Sequence, residues 1–212
     1  MSIDRKINRI QFLSGNSLKV IAVLTMLIDH LCKIVLQWLL SNYWGAMADN
    51  GQMSWERFRE IDYFIRFDLQ SIGTIAFPLF CFLLAEGFQH TRSKKRYIGL
   101  MLAFALISEV PFDIGFFNAY SRMEGTFPFY LKYQNVFFTL FLGLLTLVCL
   151  ERFSCKSDLP VDRIKSAVLQ VLSVVLFSGI AEGIHCDYGM QGILFISAFY
   201  ICRNHRIYQV LL

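Results

Sequence analysis

The sequence predicts an all-α, polytopic transmembrane helical bundle, and three observations indicate this class. The 212 residues are 56% hydrophobic and 17% charged, whereas ordinary soluble domains are about 45–50% apolar and about 25% charged. Long apolar segments recur, and a hydrocarbon core about 30 Å thick needs roughly 20 helical residues to cross. Lys and Arg are concentrated in alternate loops between these segments. No linker divides the chain, so residues 1–212 are expected to form one transmembrane domain.

Six spans are predicted in chain order. They cover residues 17–40, 71–90, 97–117, 134–151, 165–185 and 188–202. The sixth is short, and the apolar ending "RNHRIYQVLL" is expected to begin a further helix after residue 206 that the chain does not complete. The sequence therefore predicts six to seven spans.

The segment between the first two spans is the longest predicted loop. Residues 41–70 contain several large aromatic side chains, among them Trp44, Trp55, Tyr63 and Phe64. Tryptophan and tyrosine concentrate where hydrocarbon meets water, so an interfacial helix on the outer leaflet is expected here. In the second span, Pro78 is expected to kink or open the helix.

Loop charge predicts the orientation of the spans. Basic residues are concentrated before span 1 and after spans 2, 4 and 6, whereas the other loops carry less net positive charge. The concentrated residues are Arg5, Lys6, Arg9, Arg92, Lys94, Lys95, Arg96, Arg152, Lys156, Arg163, Lys165, Arg203 and Arg206. Because cytoplasmic loops carry the excess of Lys and Arg, the N-terminus is predicted to be cytoplasmic. This clustering indicates membrane topology and no nucleic-acid partner.

Polar residues of the spans form two layers when they are ordered by depth. Lys19 is placed at the cytoplasmic edge of the first span. At about 1.5 Å per residue, His30 lies roughly 16 Å further along the helix. The outer layer is predicted to contain Asp29, His30, Lys33, Glu109, Asp113, Gln134, Asn135, Glu182, His185 and Asp187. The cytoplasmic layer is predicted to contain Lys19, Glu86, His90, Arg92, Lys94, Lys95 and Arg96. Ionisable groups in spans usually face a bundle interior or a cavity, so the layers predict a site reached from both faces.

Several of these residues also have a simpler structural interpretation. Asp29 and Lys33 are four residues apart and are spaced to pair on one helix face, as are Glu86 and His90. Glu182 lies in "GIAEG", where the two glycines indicate close helix packing. His30 is either a chemical group or a hydrogen-bonded packing residue.

Two further sets of residues keep alternatives open. Gln134 and Asn135 either cap the fourth span or bind a substrate amide or hydroxyl. The basic run 92–96 is a topology determinant, an anionic-lipid contact or a phosphate site. The six cysteines form no C-x-x-C pair and no Cys–His spacing typical of zinc, so no metal site is predicted.

Five segments resemble the TraX family of bacterial membrane proteins. They are "LKVIAVLTMLIDH", "IAFPLFCFLLAEGFQHTRSKKRY", "ISEVPFD", "QNVFFTLFLGLL" and "DYGMQGILFI", in the family's order across most of residues 14–202. The family is named for conjugal transfer, and its founding type is similar to an N-acetyltransferase acting on the N-terminus of pilin. The resemblance implies a multi-pass protein of the bacterial cytoplasmic (inner) membrane.

A more distant resemblance is to the acyltransferase family 3 and heparan-glucosaminide N-acetyltransferase group of transmembrane acyltransferases. That group has an Arg-x10-His pattern in its first span, and Lys19 and His30 stand at this spacing with lysine in place of arginine. Its Arg-x-x-Arg pattern on the coenzyme A side is matched by Arg92 and Lys95, with lysine at the second position. "FPLFCFLLAEGF" is similar to its FF-x-x-SGF helix, with Glu86 in place of serine.

These resemblances imply transfer of an acetyl group from cytosolic acetyl-CoA to an amine or hydroxyl on a protein or glycan acceptor, which could be pilin-like. Histidine suits a general base because it exchanges protons near neutral pH. The implied catalytic residues are His30, Asp29 and Glu109. The implied coenzyme-binding residues are Lys19, Arg92, Lys94, Lys95 and Arg96. The acceptor is assigned Asp113, Gln134 and Asn135.

Two other functions fit part of the sequence. Intramembrane Asp, Glu and His also form proton relays, which would suit a proton-coupled transporter or channel component. A structural partner in a conjugation or envelope assembly would need no chemistry. No inverted repeat is visible in the sequence, although many transporter folds have one, so the enzyme is favoured.

Overall fold

The computed structural model describes residues 14–116, 130, 132–155, 157, 159–205 and 208–209. These residues are mostly helical, and no β-strand occurs among them. The described helices are α1 (Gly15–Asp49), α2 (Trp55–His90), α3 (Lys94–Phe116), α4 (Val136–Arg152), α5 (Pro160–Gly183) and α6 (Gly189–Ile201). The all-α class is therefore confirmed.

Local sequence signals explain where several helices begin. The Ser14 and Ser54 hydroxyls accept hydrogen bonds from Ser17 N–H (3.1 Å) and Arg57 N–H (3.2 Å). Such N-cap residues satisfy backbone donors that have no partner inside the helix. Asn135 caps α4 in the same way, and Pro160 opens α5, where its missing N–H costs nothing.

Helices α1 and α2 are not uniformly α-helical. In α1, π-helical turns cover Leu31–Leu36 and Leu40–Trp44, and in α2 a π-helical turn covers Phe64–Leu69. A break at Ile75 then separates Gln70–Thr74 from Ala76–His90. Because the Pro78 ring conflicts with the carbonyl four residues earlier, the break agrees with the predicted kink.

The predicted interfacial helix at 41–70 is wrong as a separate element. Helix α1 continues to Asp49, the chain turns through residues 50–54, and α2 begins at Trp55. Gly51 adopts a left-handed backbone (φ +71°), which ends helices and favours glycine. The aromatic segment therefore extends two long helices.

Four helices, α1, α2, α3 and α5, are long and apolar enough to cross a membrane. Helices α4 and α6 are shorter, with 17 and 13 residues. The count of six to seven spans, and the cytoplasmic N-terminus, stay predictions.

The described residues divide into two compact units. Residues 14–80 with 114–116 form the hairpin unit, and residues 81–113 with the described residues from 130 onward form the bundle unit. The prediction of a single domain stays a prediction. In the hairpin unit, Cys32, Leu40 and Ile65 are the buried centre of the packing between α1 and α2.

The core of the bundle unit lies where α4, α5 and α6 pack together, around Leu142, Ala181, Cys186 and Ile193. Gly143 admits the side chain of Ile196 against its backbone. The predicted packing face of Gly179 and Gly183 is wrong for the described residues, because a Cβ at either glycine would meet nothing within 4 Å.

Candidate functional site

His30 lies in the hairpin unit, where α1 changes from an α-helix to a π-helical turn. Its Nδ1 lies 3.0 Å from the Met26 carbonyl oxygen. A carbonyl can only accept, so Nδ1 carries the hydrogen and donates. In the neutral ring, Nε2 then keeps a lone pair. The ring meets Phe116 edge to face (centroids 5.6 Å) and remains 40% exposed, so it is oriented without being enclosed.

Asp29 is buried beside His30. Its Oδ2 forms an ion pair with Lys33 Nζ (2.8 Å) and lies 3.9 Å from His30 Nδ1. The distance to His30 is too long for a hydrogen bond. Asp29 therefore pairs with Lys33, and an imidazolium at His30 would still feel its negative charge.

Gly73 brings the second helix of the hairpin unit against Asp29. A Cβ at Gly73 would lie 2.6 Å from Asp29 Cβ and 2.8 Å from Asp29 Cα. Asp29 Oδ1 is buried and has no hydrogen-bond partner within the described part of the chain. Gly73 is not predictable from the sequence, since a single glycine in an apolar segment carries no signal of its own.

Glu109 and Asn135 form a buried contact in the bundle unit. Glu109 Oε2 accepts hydrogen bonds from the Asn135 backbone N–H (3.2 Å) and from its side-chain amide. That amide also donates to the Ala105 carbonyl (2.9 Å), and Asn135 Oδ1 accepts from Phe137 N–H (2.9 Å). Asn135 thus caps α4 and joins it to α3. The alternative that this residue is a cap is correct.

Asp113 lies one turn beyond Glu109 on α3 and is fully buried. Its Oδ2 accepts from Tyr130 N–H (2.6 Å). Among the described residues, Asp113 Oδ1 and Glu109 Oε1 are buried without a hydrogen-bond partner. Each acid therefore keeps one oxygen available to a hydrogen-bond donor. Separately, Pro111 between the two acids removes an N–H that would bind the Ile107 carbonyl.

The segment before α4 pairs with the turn between α5 and α6. Gln134 N–H donates to the His185 carbonyl (3.1 Å), and Asp187 N–H donates to the Gln134 carbonyl (2.8 Å). The Thr139 hydroxyl also donates to the Asp187 carbonyl. His185 and Tyr188 have positive φ values of 55° and 63°, and such strain persists only where the surroundings enforce it. This pairing holds Asn135 in place.

Tyr133 and Cys186 are two residues of this region that the sequence analysis missed. Burial is the main cause that raises the pKa of Tyr133. The negative charges of Asp187, the Cys186 thiolate and Glu182 raise it further. Burial raises the pKa of Cys186 to about 11, with Glu109, Asp187 and Glu182 adding to the rise and a Thr139 hydrogen bond opposing it. Neither spacing nor composition distinguishes these two side chains in the sequence.

Glu182 has a structural role that differs from the predicted one. Its Oε1 accepts a hydrogen bond from Met190 N–H (2.8 Å), in the first turn of α6. An acidic group at this position satisfies a free backbone donor and complements the helix dipole. Glu86 and His90 form the predicted pair on one helix face, but the contact is long, because Glu86 Oε2 lies 3.9 Å from His90 Nδ1.

The basic run 92–96 stands at the start of α3. Arg92, Lys95 and Arg96 are exposed, whereas Lys94 pairs with Glu151 and lies over the Phe88 ring (4.5 Å). The Ser93 hydroxyl accepts from Arg96 N–H (3.4 Å). Lys19, in the hairpin unit, is exposed. Lys94 is thus already engaged, and three cations of the run remain open.

The structure distributes the predicted residues over the two units. Asp29, His30 and Lys33 come together in the hairpin unit, and Glu109, Asp113, Gln134 and Asn135 come together in the bundle unit. That Glu109 assists His30 stays a prediction. Among the described residues, no three His, Cys, Asp or Glu side chains are placed to hold a metal ion.

Comparison with known proteins gives a family match along nearly the whole chain. The family model described as "TraX protein" matches residues 14–211. Over 186 residues the chain is 29% identical to the "Probable fimbrial assembly protein FimC, serogroup H1" of Dichelobacter nodosus. That alignment covers 86% of this chain and 59% of the relative. No solved structure matches the chain. The extent of the family match shows that this membrane protein belongs to the TraX family.

Proposed function

We propose that this chain is a membrane-embedded acetyltransferase, which moves an acetyl group from acetyl-CoA to an amine or hydroxyl acceptor. The observation that carries the proposal is the setting of His30. Its Nδ1 is committed to the Met26 carbonyl, its Nε2 keeps a lone pair, and the Asp29 carboxylate lies 3.9 Å from Nδ1. This is how a general base is prepared to take a proton.

The proposed reaction places His30 at the proton transfer. The acceptor nitrogen or oxygen attacks the thioester carbonyl carbon, and its proton passes to His30 Nε2. The carbon–sulfur bond then breaks, and the coenzyme thiolate leaves and takes the proton from the imidazolium. Asp29 stabilises the imidazolium formed between these steps, because opposite charges a few ångströms apart attract.

The coenzyme is proposed to bind at the start of α3. Helix N-termini favour acidic side chains, because the dipole is positive there. This one instead carries Lys94, Lys95 and Arg96 in its first turn, with Arg92 just before it. A phosphate would be attracted by both the helix end and the exposed cations. The open side chains of Arg92, Lys95 and Arg96 are therefore the proposed phosphate ligands, and the role of Lys19 stays a prediction.

The acceptor is proposed to meet the polar cluster of the bundle unit. Glu109 Oε1 and Asp113 Oδ1 lack hydrogen-bond partners among the described residues, and an amine or hydroxyl can donate to such oxygens. Because a relative is named a fimbrial assembly protein, we propose a pilus-associated role and a pilin-like acceptor. We place the protein in the bacterial inner membrane.

Acetyl transfer by purified protein tests this proposal. Wild type in detergent or nanodiscs is given labelled acetyl-CoA and pilin-type peptides with free or blocked N-termini. We expect His30→Ala to slow transfer by roughly 10²–10⁴-fold, the usual contribution of a general base. The matched control is His90→Ala: His90 Nδ1 has the same contact with the carbonyl four residues earlier (2.8 Å) and a carboxylate at 3.9 Å, but its side chain is 77% exposed, whereas that of His30 is 40% exposed beside a buried Asp29. Equal rates for His30→Ala and wild type would refute the assignment of the base.

Coenzyme binding can be measured separately from chemistry. A ligand that binds only the folded state raises the apparent melting temperature. We expect acetyl-CoA to stabilise wild type and the joint variant Arg92→Gln/Arg96→Gln to lose most of the shift. His30→Ala should keep it. If saturating acetyl-CoA leaves the apparent melting temperature of wild type unchanged, acetyl-CoA is not the acyl donor and that part of the proposal is wrong.

One observation favours a second function, proton-coupled transport. Glu109 and Asp113 lie one turn apart on α3, both buried, and acidic pairs within spans can relay protons. A pH gradient across proteoliposomes would then drive solute flux without acetyl-CoA, and Glu109→Gln would abolish that flux.

A further inference from the structure

The hairpin unit contains an apolar groove between α1 and α2. It encloses about 440 Å³ and is lined by Leu36 and Trp44 of α1 and by Ile61, Phe64, Ile65 and Leu69 of α2. Small-molecule sites commonly enclose about 300–1,000 Å³ and are mostly apolar. Arg57 and Glu60 complete the lining, and their side chains are 69% and 66% exposed. The groove is thus apolar within and charged where it opens.

Irregular backbone forms most of this groove. Leu36 and Trp44 are the last residues of the two π-helical turns of α1, and Phe64, Ile65 and Leu69 belong to the π-helical turn of α2. π-Helical turns are rare and occur frequently at functional sites, because they redirect side chains from the regular helix face. Five of the apolar lining residues therefore owe their direction to this backbone.

A second, charged pocket adjoins the groove. It encloses about 520 Å³, shares Glu60 and Phe64 with the groove, and is otherwise lined by Glu56, Arg59, Tyr63 and Asp68. Three acidic groups thus face one arginine. Glu60 pairs with Arg57 (3.0 Å), whereas Glu56, Arg59 and Asp68 have no ion-pair partner in the described part of the chain. The pocket offers both signs of charge, with an acidic excess.

The length of the helices places the groove near a membrane surface. The 35 residues of α1 span roughly 52 Å at about 1.5 Å per residue, and a bilayer with its headgroups is about 40–45 Å thick. Seven Asp, Glu and Arg residues lie between 56 and 68, and because such groups are costly in hydrocarbon, the start of α2 is expected at the level of the headgroups. Trp44 and Tyr63 are aromatic types that concentrate at the interface.

We propose that the groove and the charged pocket together bind one phospholipid whose headgroup carries a primary ammonium. An acyl chain occupies the apolar groove, the headgroup phosphate meets Arg59, and the ammonium meets Glu56, which lies three residues before Arg59 on the same helix. A neutral zwitterion with both charges matches a pocket with both charges, and a primary ammonium also donates hydrogen bonds to a carboxylate, which the quaternary ammonium of a choline headgroup cannot do. A glycerol headgroup is anionic and has no cation for the acidic excess. This site is independent of the acetyltransferase proposal.

Fluorescence quenching by bromine-labelled lipids tests the site in the whole chain. Replacing Trp38 and Trp55 by phenylalanine leaves Trp44, in the groove, as the only tryptophan. The protein is placed in phosphatidylcholine nanodiscs with a small, equal fraction of brominated phosphatidylethanolamine, phosphatidylcholine or phosphatidylglycerol. We expect the ethanolamine lipid to be enriched at Trp44 roughly fivefold over the choline lipid, as one exposed ion pair can supply.

Variants separate the headgroup from the chain. The double change Glu56→Gln/Arg59→Gln should remove the enrichment, and Ile61→Phe should reduce quenching by all three lipids by filling the groove. The matched control is Asp62→Asn, because Asp62 pairs with Arg66 (2.5 Å) on the same helix and lines neither cavity. It should keep the enrichment.

The comparison of the three lipids is made within the single-tryptophan protein and needs no further substitution. Equal quenching by the ethanolamine and choline lipids would overturn the headgroup assignment. Stronger quenching by the glycerol lipid would show that the site prefers an anionic lipid, and it would overturn the proposal as well.

Discussion

At the scale of single residues, the Asn135 side chain joins several parts of the bundle unit. It caps α4, donates to the Ala105 carbonyl and donates to Glu109. Removing its side chain takes away a helix cap and one of the two donors to the buried Glu109 Oε2. Loss of a cap costs about 1 kcal/mol, and loss of a buried hydrogen bond to a carboxyl group costs about 1–3 kcal/mol.

We therefore expect Asn135→Ala to cost about 2–4 kcal/mol in unfolding free energy. The control is Ser54→Ala, which removes only a cap from an exposed helix start and should cost about 1 kcal/mol. Apparent melting temperatures in one detergent rank the two variants. If both fall equally, the contact between Asn135 and Glu109 contributes nothing beyond the cap.

Cys186 gives a prediction about pH. Its pKa is raised to about 11, chiefly by burial, and only the thiolate reacts with maleimides. In the folded protein, alkylation of Cys186 should be slow at pH 8 and still rise about tenfold per pH unit up to pH 10, as expected below the pKa. The same cysteine in the unfolded chain, followed by peptide mass spectrometry, is the reference. A folded-state rate that levels off near pH 8 would contradict the raised pKa.

The sequence predicted part of the candidate site at this scale. Glu109, Asp113, Gln134 and Asn135 were assigned to one layer because charges in apolar spans are conspicuous and depth follows from helical rise. The partners of these residues were not predictable. Asp113 binds a backbone N–H 17 residues away, and Gln134 pairs with a turn some 50 residues away. Such contacts depend on tertiary packing.

At the scale of helices, Gly73 determines how closely α2 approaches α1. A methyl group there would lie 2.6 Å and 2.8 Å from Asp29 Cβ and Cα, so backbone must move to admit it. We expect Gly73→Ala to destabilise the protein by about 1–3 kcal/mol, as overpacking usually does.

The control for this prediction is Gly99→Ala in α3. A Cβ at Gly99 meets nothing within 4 Å, so the change should stabilise by up to about 1 kcal/mol through helix propensity. The two variants should therefore shift the apparent melting temperature in opposite directions. Stabilisation by both would mean that the hairpin unit adjusts to the methyl group without cost.

The sequence predicted the existence of the helices better than their ends. Apolar periods and lengths indicate where helices α1 to α6 lie. The continuation through residues 41–49 and 55–70 was missed, because charge and aromatic content were weighed above helix-stop signals. Asn50-Gly51 and Ser54 mark the only described end and restart in that segment. The π-helical turns at Leu31–Leu36, Leu40–Trp44 and Phe64–Leu69 have no recognisable sequence signal.

At the scale of the whole molecule, the number of membrane crossings decides where the proposed substrates can approach. Four described helices meet the length and hydropathy of a span. Helix α4 has 17 residues, or roughly 26 Å at about 1.5 Å per residue, slightly less than a hydrocarbon core of about 30 Å. If α4 and α6 cross as well, the loop after α4 lies on the same side as the basic run 92–96. If they do not, that loop lies on the opposite side.

Single cysteines therefore distinguish six crossings from four. In a background without the native cysteines, Gln52→Cys reports the turn between α1 and α2, and Ser154→Cys reports the loop after α4; both positions are exposed. We expect a membrane-impermeant maleimide to label position 52 only from outside the cell and position 154 only from the cytoplasm. The reason is that basic residues lie at the end of α4 and after it, namely Arg152, Lys156, Arg163 and Lys165. Loops rich in Lys and Arg stay cytoplasmic. Labelling of both positions from the same side would show that α4 does not cross the membrane, and the proposed acceptor site would then need a different route of access.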